Sequence, residues 1–486
     1  MTWTLSPLHQ AAVDAPQAIA VCAAGQQLSY QQLSQRVLAL ATSLSNQGLG
    51  RGDVLGVISS NRLEMLMLYW ACLDIGALFC PVSPKFPPAQ ITTLLKRCGA
   101  RYYWSDAGLP GSGSNAGPEQ ALTANPLNTA SLTPLTLDFN AVATQTPAML
   151  DDTQAANIIF TSGSSGMPKA AVHNLAQHMA SAVGSASLIA LTEGDRWLAS
   201  LPLFHIGGLA ILNRCAAARA CVVFADAGQP LAQQLLSHQI THLSLVATQL
   251  QRLLQQAQDS LKYIKALLLG GGAIAQPLLD KLDTLGIHAF TSYGMTEMAS
   301  QITTGKALGD GSSGKLLPGR ELILRDGVIW VRGATLFMGY LSDTGLERQT
   351  DSQGWFCTKD RGYWDDAGHL HICGRSDNMF VCGGENLQPE EVEAVLKQLP
   401  GVEDALVFAL ADEEFGCLPA AIIKGQIPSQ VQADEFICRH IARFKRPRAY
   451  FSWPAGVAQT GLKINRRQLI DAVRRNEGLL PGKEKG

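Results

Sequence analysis

The residues best suited to bind a polyphosphate form one glycine- and hydroxyl-rich segment, TSGSSGMPK, at residues 161–169. Glycines let the backbone approach a ligand closely, and successive N–H groups of such a loop form a concave site for anions. Hydroxyl groups and a lysine add further donors. The members with these properties are Thr161, Ser162, Gly163, Ser164, Ser165, Gly166 and Lys169.

This segment differs from the Walker A phosphate loop. That motif places its lysine directly after the second glycine, at the start of a helix. Here Met167 and Pro168 intervene, and proline lacks an N–H group and fixes φ. An ordinary Gly/Ser turn is the alternative interpretation, so the segment alone predicts only that some polyphosphate binds.

Strands and helices on either side are expected to position this loop. NIIF at 157–160 predicts a short buried strand before it, and a helix is expected from about Asn174. Earlier in the chain, helical patterns at Gln31–Gln47 and Arg62–Leu73 flank a strand pattern at Val54–Ser59. Such alternation predicts an α/β fold with a mainly parallel sheet covered by helices.

The length of 486 residues exceeds what one ordinary core supports, so we expect more than one domain. We predict a large N-terminal domain at 1–374, a hinge at 375–377 and a small α+β C-terminal domain at 378–486. Residues of about 107–146 are rich in Gly, Ser, Asn, Pro and Thr, which is typical of a surface spacer.

A β-rich region begins at Gly327, with the segments GVIWVRG, GWFCTKD and GHLHICG. Short strands separated by glycines predict a small antiparallel, barrel-like subdomain within the N-terminal domain. His369, His371 and Cys373 alternate along the last segment. We interpret this spacing as one face of a strand and not as a metal site.

Composition excludes several classes of protein. The 38 basic and 40 acidic residues give a formal charge of −2, which makes nucleic acid a poor partner. The N-terminal residues lack the pattern of a secretory signal, and Met65–Val82 contains Asp74 and is barely long enough to span a bilayer. We interpret that stretch as a buried helix and strand. Eleven cysteines without Cys-x-x-Cys spacing favour a cytoplasmic protein.

Four later segments carry further residues suited to nucleotide chemistry: SYGMTE (292–297), GWFCTKD (354–360), GRSDNMFVCGGENLQPEEVE (374–393) and TGLKINR (460–466). With residues 161–169 they resemble, in order and over nearly the whole chain, the motifs of the acyl-adenylate-forming enzymes. That family comprises acyl- and aryl-CoA ligases, luciferases and adenylation domains of peptide synthetases. The resemblance implies an enzyme that uses ATP and Mg²⁺ to adenylate a carboxylic acid and then transfers the acyl group to coenzyme A.

The resemblance also implies which residues bind the nucleotide. Glu297 offers an oxygen ligand for Mg²⁺, Thr296 a hydrogen bond to the α-phosphate, and Tyr293 a flat face for adenine. An ordinary turn with Thr296 or Glu297 near a helix cap is the alternative. The other implied residues are Gly270, Gly271 and Gly272 along adenine, Asp360 for the ribose hydroxyls, and Arg375 near the ribose and phosphate. A surface ion pair is the alternative for Asp360 and Arg375.

Lys463 resembles the family's catalytic lysine, which bridges the substrate carboxylate and the α-phosphate as charge develops there. A solvated lysine is the alternative interpretation. The resemblance implies a mobile C-terminal domain that rotates about Asp377 between two half-reactions. That rotation is expected to bring the loop with Gly383 and Gly384 to the coenzyme A thiol.

Two positions depart from the family's motifs. Lys359 precedes Asp360 where the family usually has glycine, so the geometry of that turn is less well defined. Leu462 precedes Lys463 where glycine is commoner, with Gly461 one position earlier. A branch of the family with a Gly-x-Lys pattern would have this sequence.

Residues 200–214, SLPLFHIGGLAILNR, are expected to line the acyl pocket. His205 resembles the family's gate beside the reacting carboxylate; a packed histidine is the alternative. Arg214 is a charge in an apolar stretch, and a buried arginine is costly unless it meets an anion. It therefore suggests a substrate with a second carboxylate, with a structural ion pair as the alternative. Ser300 and Gln301 offer further polar contacts.

These features, with SYGMTEMASQI at 292–302, are similar to the 2-succinylbenzoate–CoA ligases of menaquinone biosynthesis. Their substrate has an aliphatic carboxylate to activate and a benzoate carboxylate to anchor. Another aryl- or acyl-CoA ligase, a stand-alone adenylation enzyme that loads a carrier protein, and a catalytically inactive binding protein stay open. The expected partner is a small carboxylic acid, and the sequence leaves open whether the chain forms a homo-oligomer.

Overall fold

The computed structural model describes residues 3–107, 132–139, 141–143, 146–161, 168–270, 276–375, 379–387, 389–454 and 466–477. The chain divides into two compact units. The larger holds most residues up to Gly374, and the smaller consists mainly of residues from Arg375 onward. The expected mobility of the second unit stays a prediction.

The first hundred residues alternate strands and helices, as the sequence predicts. Helix α2 begins with a capping box, in which Ser29 and Gln32 bond each other's backbone N–H groups. Helix α3 ends at Gly76, whose φ of 79° suits glycine. The elements are β1 (Trp3–Thr4), α1 (Pro7–Asp14), β2 (Ile19–Ala23), β3 (Gln26–Ser29), α2 (Tyr30–Asn46), β4 (Val54–Ile58), α3 (Leu63–Ile75), β5 (Leu78–Val82), α4 (Pro88–Arg97) and β6 (Tyr102–Ser105).

The next part of the larger unit continues this alternation up to the candidate site. Its elements are β7 (Thr133–Pro134), β8 (Leu150–Asp151), β9 (Ala155–Thr161), β10 (Lys169–Asn174), α5 (Leu175–Ala186), β11 (Arg196–Leu198), α6 (Ile206–Ala218), β12 (Cys221–Val223), α7 (Leu231–Ser237), β13 (His242–Val246), α8 (Ala247–Gln256), β14 (Ala266–Gly270), α9 (Gln276–Thr284), β15 (His288–Met295) and β16 (Ser300–Lys306). The strand predicted at 157–160 is β9. Strand β10, which lies between the predicted loop and the helix expected from Asn174, was not predicted from the sequence.

Two large mixed sheets contain most of these strands. In the described residues, one has eight strands in the order β21-β20-β10-β9-β5-β4-β6-β7, in which β20 is Gly339–Ser342 and β21 is Gly345–Glu347. The other has nine strands in the order β17-β16-β15-β14-β13-β11-β12-β2-β3, in which β17 is Lys315–Leu316. Strands β4, β5, β6 and β9 pair in parallel, and so do β11 to β15 with β2. The α/β fold with mainly parallel sheets is thus confirmed.

Alternate side chains of the nine-stranded sheet enter different cores. Leu268 of β14 belongs to a main core that includes Phe79 of the eight-stranded sheet and Trp197 of β11. Leu267 and Leu269 of β14 belong to a second core, with leucines of α8 and α9. Successive strand residues point to opposite faces, so helices cover both faces of this sheet.

The stretch Met65–Val82 forms the predicted buried helix and strand, α3 and β5. The residues from Met65 to Leu73 are all buried. In the part of the chain that the structure describes, no helix is long and apolar enough to cross a membrane.

The β-rich region after β16 forms a four-stranded sheet of β18 (Arg320–Arg325), β19 (Val328–Gly333), β22 (Phe356–Trp364) and β23 (Leu370–Arg375) in that order. Strands β18 and β19, and β19 and β22, pair antiparallel, as the sequence predicts. Its core contains Ile329, Val331 and Phe356 together with Met298 and Ile302 from the β15–β16 region. The elements are β17 (Lys315–Leu316), β18 (Arg320–Arg325), β19 (Val328–Gly333), β20 (Gly339–Ser342), β21 (Gly345–Glu347), β22 (Phe356–Trp364) and β23 (Leu370–Arg375).

The smaller unit is an α+β structure around the long hairpin of β26 and β27. One of its cores contains Val407 and Ile423, and the other contains Leu406 and Ile422, so helices pack on both faces of the hairpin. The elements are β24 (Phe380–Cys382), β25 (Glu385–Leu387), α10 (Pro389–Leu396), β26 (Val402–Asp412), β27 (Gly416–Gly425), α11 (Gln430–His440), β28 (Ala449–Ser452) and α12 (Arg466–Asn476).

A buried polar chain joins the first three helices. His9 of α1 contacts both carboxylate oxygens of Asp74 on α3 through Nε2, at 2.9 and 3.0 Å. Its Nδ1 lies 2.8 Å from the Ser34 hydroxyl on α2. Burial raises the pKa of Asp74, and the hydrogen bond and charge of His9 oppose that rise. A buried pair of this kind depends on both partners.

Asp74→Ala is therefore expected to lower the free energy of unfolding by about 3 kcal/mol, because it leaves His9 buried without its carboxylate. Alanine is the better helix former, so the loss cannot come from helix propensity. Urea unfolding measures the change. The control is Asp14→Ala at the exposed end of α1, where a loss below about 1 kcal/mol is expected. Equal losses in both variants would contradict the assignment.

Candidate active site

One sharp turn between β15 and β16 positions several predicted site residues. Strand β15 ends at Met295, Thr296–Met298 form a single 3₁₀ turn, and β16 begins at Ser300. A Cβ on Gly294 would lie 2.1 Å from the Ser300 carbonyl oxygen, so only glycine permits this approach. Ala299 and Ser300 have φ values of 48° and 108°, which are costly for residues other than glycine. Strain of this kind concentrates at functional sites.

Glu297 is a buried carboxylate held by an aromatic hydroxyl. It is 7% exposed, and Tyr340 donates a hydrogen bond of 2.5 Å to its Oε1. The Glu297 carbonyl also accepts a bond of 2.9 Å from the backbone N–H of Phe337. Carboxylate oxygens are the ligands that Mg²⁺ prefers, and this one is fixed in orientation. The residue thus fits a magnesium ligand, although its role stays a prediction.

The backbone of Thr296 is fixed by His173, which the sequence analysis did not single out. The Nε2 of His173 lies 2.7 Å from the Thr296 carbonyl, to which it donates as the neutral tautomer with Nε2–H. Burial lowers the pKa of His173 to about 4. Burial also lowers the pKa of His178, whose ring centroid lies 5.3 Å from that of His173. Both imidazoles are neutral at pH 7.

Tyr293 and Asp360, predicted for adenine and ribose, lie together. The Tyr293 hydroxyl donates a hydrogen bond of 2.5 Å to Asp360 Oδ2. Asp360 is buried in β22. The two residues are 67 positions apart in the sequence, and the fold brings their side chains on β15 and β22 into contact.

Lys359, which stands where the family usually has glycine, has a φ of 64°. This left-handed conformation explains why glycine is commoner there, since a Cβ makes it costly. Lys359 adopts this left-handed backbone conformation despite the strain, and the residue is exposed.

Lys359→Gly is expected to raise the free energy of unfolding by up to about 1 kcal/mol, because glycine removes the strain at positive φ. The matched control is Lys306→Gly at the end of β16, an exposed lysine without a positive φ. There glycine should lower stability by about 0.5–1 kcal/mol. Chemical unfolding of both variants measures the two changes. A loss of stability of equal size in both would contradict the presence of backbone strain at Lys359.

His205 precedes the buried helix α6 and is exposed. Its ring packs edge-on against Phe204, with centroids 4.9 Å apart, and its side chain does not cap the helix. The backbone carbonyl of His205 accepts bonds from Gly208 and Leu209. The expected role beside the reacting carboxylate stays a prediction.

Arg214, in the middle of α6, is buried at 5% exposure without a carboxylate partner in the described residues. Its Nη2 donates to the Ser300 hydroxyl at 3.2 Å and to Gln301 Oε1 at 2.7 Å. Its Nε is buried and makes no hydrogen bond within the described part of the chain. The face of Trp197 lies 5.5 Å from its Cζ.

Arg214 remains charged in this environment. Burial lowers its pKa to about 10, and the neighbouring positive charge of Arg320 adds to that effect. At pH 7 a group with this pKa is protonated. The sequence thus identified a buried cation, and the structural ion pair that it left open is absent from the described residues.

Several predicted residues lie outside the described ranges, and others occupy the ends of strands. Outside lie Ser162, Gly163, Ser164, Ser165, Gly166, Gly271, Gly272, Asp377 and Lys463. Thr161 and Gly270 end β9 and β14, Lys169 begins β10, and Arg375 ends β23. Gly383 and Gly384 form the turn between β24 and β25 with φ values of 57° and 86°. The roles of all of these residues stay predictions.

The histidines near β23 lie against a single carboxylate. His371 Nε2 is 3.0 Å, and His369 Nδ1 is 3.5 Å, from Asp365 Oδ2. Asp310 lies close to the pair formed by Asp365 and His369. Both histidines thus contact the Asp365 carboxylate, and the ring of Tyr363 stacks on His371. These contacts suit the predicted strand face.

Comparison with known families identifies the family of the chain. The family model described as AMP-binding enzyme matches residues 8–341, which include β9, the β15–β16 turn and Arg214. The chain belongs to the AMP-binding enzyme family. The adenylate-forming family predicted from the five motifs is therefore confirmed.

Curated relatives cover nearly the whole chain. The 2-succinylbenzoate–CoA ligase of Salmonella typhimurium is 37% identical over 450 residues, which are 92% of this chain and 93% of that protein. The 2-succinylbenzoate–CoA ligase of Escherichia coli K12 is 36% identical, over 93% of this chain and 94% of that protein.

Solved structures of Bacillus subtilis o-succinylbenzoate CoA synthetase are similar in fold, each at 28% identity over 97% of this chain. A double mutant bound to the product analogue OSB-NCoA has a TM-score of 0.83, and the match covers 99% of that protein's chain. The complex with ATP and magnesium has a TM-score of 0.69, covered to 100%. The complex with the acyl-adenylate intermediate OSB-AMP has a TM-score of 0.67, covered to 99%.

Proposed function

We propose that this enzyme is a 2-succinylbenzoate–CoA ligase that forms AMP. In the first half-reaction, a carboxylate oxygen of the acid attacks the α-phosphorus of ATP, and the bond to the β-phosphate oxygen breaks to release pyrophosphate. In the second, the sulfur of coenzyme A attacks the acyl carbon, the bond to AMP breaks, and the thiol proton passes to solvent. Membership of the family and the curated relatives support this proposal.

The observation that carries the choice of acid is the buried charge of Arg214. An arginine removed from water without a counter-ion costs several kcal/mol unless a ligand supplies the anion. Gln301 and Ser300 satisfy only its Nη2, so donors remain for a second carboxylate. A guanidinium and a carboxylate pair well through two parallel bonds. A fatty acid would leave this charge without a partner.

Residues in and around the β15–β16 turn would bind the nucleotide. Asp360 would accept the ribose hydroxyls beside Tyr293, and the Thr296 hydroxyl would contact the α-phosphate. A Mg²⁺ ion held by Glu297 would neutralise charge on the departing pyrophosphate. Tyr340 and His173 would hold Glu297 and Thr296 in place for this purpose.

The other roles follow from the resemblance and from the family. Lys463 would stabilise charge on the attacking carboxylate and the α-phosphate. The hydroxyl-rich segment at 161–169 would bind the leaving pyrophosphate. Asp377 would be the hinge, and the Gly383–Gly384 turn would face coenzyme A. These assignments belong to the same proposal.

A reducing compartment suits the thiols of this chain, and we place the enzyme in the cytoplasm. The ten described cysteines are all free. The sulfur atoms of Cys22 and Cys221 lie 3.5 Å apart, within hydrogen-bond distance, and form no disulfide. Thiols so close together persist where the redox balance favours reduction.

Exchange of pyrophosphate into ATP tests the acid, with 2-succinylbenzoate compared with 4-oxo-4-phenylbutanoate, which lacks the ring carboxylate, and with decanoate. Arg214→Met should lower kcat/KM for 2-succinylbenzoate by about 100-fold or more, since a buried charge pair is lost. It should change exchange with the monocarboxylate far less.

The control for this experiment is Arg219→Met, an exposed arginine just after the same helix. It should leave all three acids unchanged. Exchange with decanoate but not with 2-succinylbenzoate would overturn the choice of acid. Adding coenzyme A must then yield the thioester; an adenylate that persists would instead indicate a carrier-protein thiol.

Lys463→Ala is expected to abolish formation of the adenylate and to leave thioester formation from a supplied adenylate largely intact, because the lysine acts on the attacking carboxylate. The half-reactions are measured separately, by pyrophosphate release and by thioester yield. Lys424→Ala, at a half-buried lysine of the same unit, is the control. Equal loss in both half-reactions would refute the role of Lys463.

A further inference from the structure

Two buried arginines share one glutamine. Gln301 accepts a bond of 2.7 Å from Arg214 at its side-chain oxygen, and a bond of 2.9 Å from Nε of Arg320 at its backbone carbonyl. Gln301 is 2% exposed, and its Nε2 donates to Thr304 at 2.7 Å. One residue of β16 therefore fixes two cations at once.

Arg320 is held by neutral acceptors only in the described part of the chain. Besides Gln301, its guanidinium donates to the carbonyls of Pro318 and Ala180 at 2.8 and 3.3 Å, and to the Ser181 hydroxyl at 3.3 Å. A Cβ on Gly184 would lie 1.9 Å from its Nη1, so a glycine in α5 makes room for it. Its donors are occupied, and its charge is not neutralised.

The arrangement raises the positive potential around Arg214. A like charge nearby disfavours a second cation, and low-dielectric surroundings strengthen that effect. The simplest partner at position 301 would be glutamate, which differs from glutamine by one atom and would neutralise Arg214. Glutamine still accepts a hydrogen bond from the guanidinium through its side-chain oxygen, but it leaves the positive charge for another anion.

We infer that Gln301 is a specificity-determining residue of the acyl pocket, with Arg320 as its positioning partner. Together they hold Arg214 rigid and uncompensated, so that only an acid with a second carboxylate completes the ion pair. This inference rests on the proposed function. It adds that selection depends on the neutral amide at 301, which neither the motifs nor the relatives' names indicate.

The test is the nearly isosteric variant Gln301→Glu. Its carboxylate would occupy the anion position beside Arg214 and compete with the substrate. The expected result is a rise of about 30-fold or more in KM for 2-succinylbenzoate, with kcat changed by less than about threefold. The ratio of kcat/KM for 2-succinylbenzoate to that for 4-oxo-4-phenylbutanoate should fall by a similar factor.

Two further variants separate charge from folding. Gln26→Glu adds the same charge at an exposed residue of β3 and should leave the ratio unchanged. Arg320→Lys loses the fork of donors but keeps the positive charge. Because the charge is kept, this variant should retain most of the preference for the dicarboxylate. Arg320→Met should lower that preference at unchanged ATP affinity, and thermal melting monitors the fold of each variant.

The outcomes distinguish this inference from the proposed function. If Gln301→Glu lowers exchange with both acids equally, or leaves KM for the dicarboxylate unchanged, the inference is wrong while the ligase assignment stands. If the wild type does not activate 2-succinylbenzoate but activates another dicarboxylate, the proposed function is wrong. The ratio of kcat/KM for the dicarboxylate to that for the monocarboxylate is then measured with that acid. Activation of monocarboxylates alone would overturn both.

Discussion

The positive charge of Arg214, buried without an anionic partner in the described residues, is the constraint on which the surrounding structure depends. Helix α6 carries the residue into the core because the rest of its turns are apolar. Strand β16 supplies Ser300 and Gln301 to hold one nitrogen, and Trp197 supplies an aromatic face. None of these groups neutralises the charge. Replacing a buried charge with a well-packed apolar residue is often neutral or stabilising, so stability alone does not account for Arg214.

The same β15–β16 turn also carries the residues that we propose for the nucleotide. Glu297 and Thr296 lie on the 3₁₀ turn, and Ser300 follows it at a φ of 108°. The residues suited to phosphate and magnesium therefore lie only a few positions before those suited to the acid, and the strained backbone connects them. Tyr340 and neutral His173 hold the turn from outside through short hydrogen bonds. Such support is what a preorganised site needs.

Much of this was predictable from local sequence. The alternation before residue 100 predicts the parallel sheets, the five motifs identify the family, and Arg214 stands out as a charge in an apolar stretch. The partners of these residues were not predictable. Arg320 follows Pro318 and Gly319 and looks like a surface residue, and His173 lies in an unpredicted strand. Contacts between segments 86 to 140 residues apart leave no periodic pattern. The positive φ of Lys359 shows why the family usually has glycine at that position.

The central claim is that the uncompensated Arg214 binds the second carboxylate of the acid. A crystal structure with a stable analogue of the 2-succinylbenzoyl adenylate measures this directly. The account predicts a carboxylate oxygen within about 3 Å of an Arg214 guanidinium nitrogen, with the bond from Arg214 to Gln301 retained. A bound analogue whose ring carboxylate points away, with Arg214 still bonded only to Ser300 and Gln301, would contradict it.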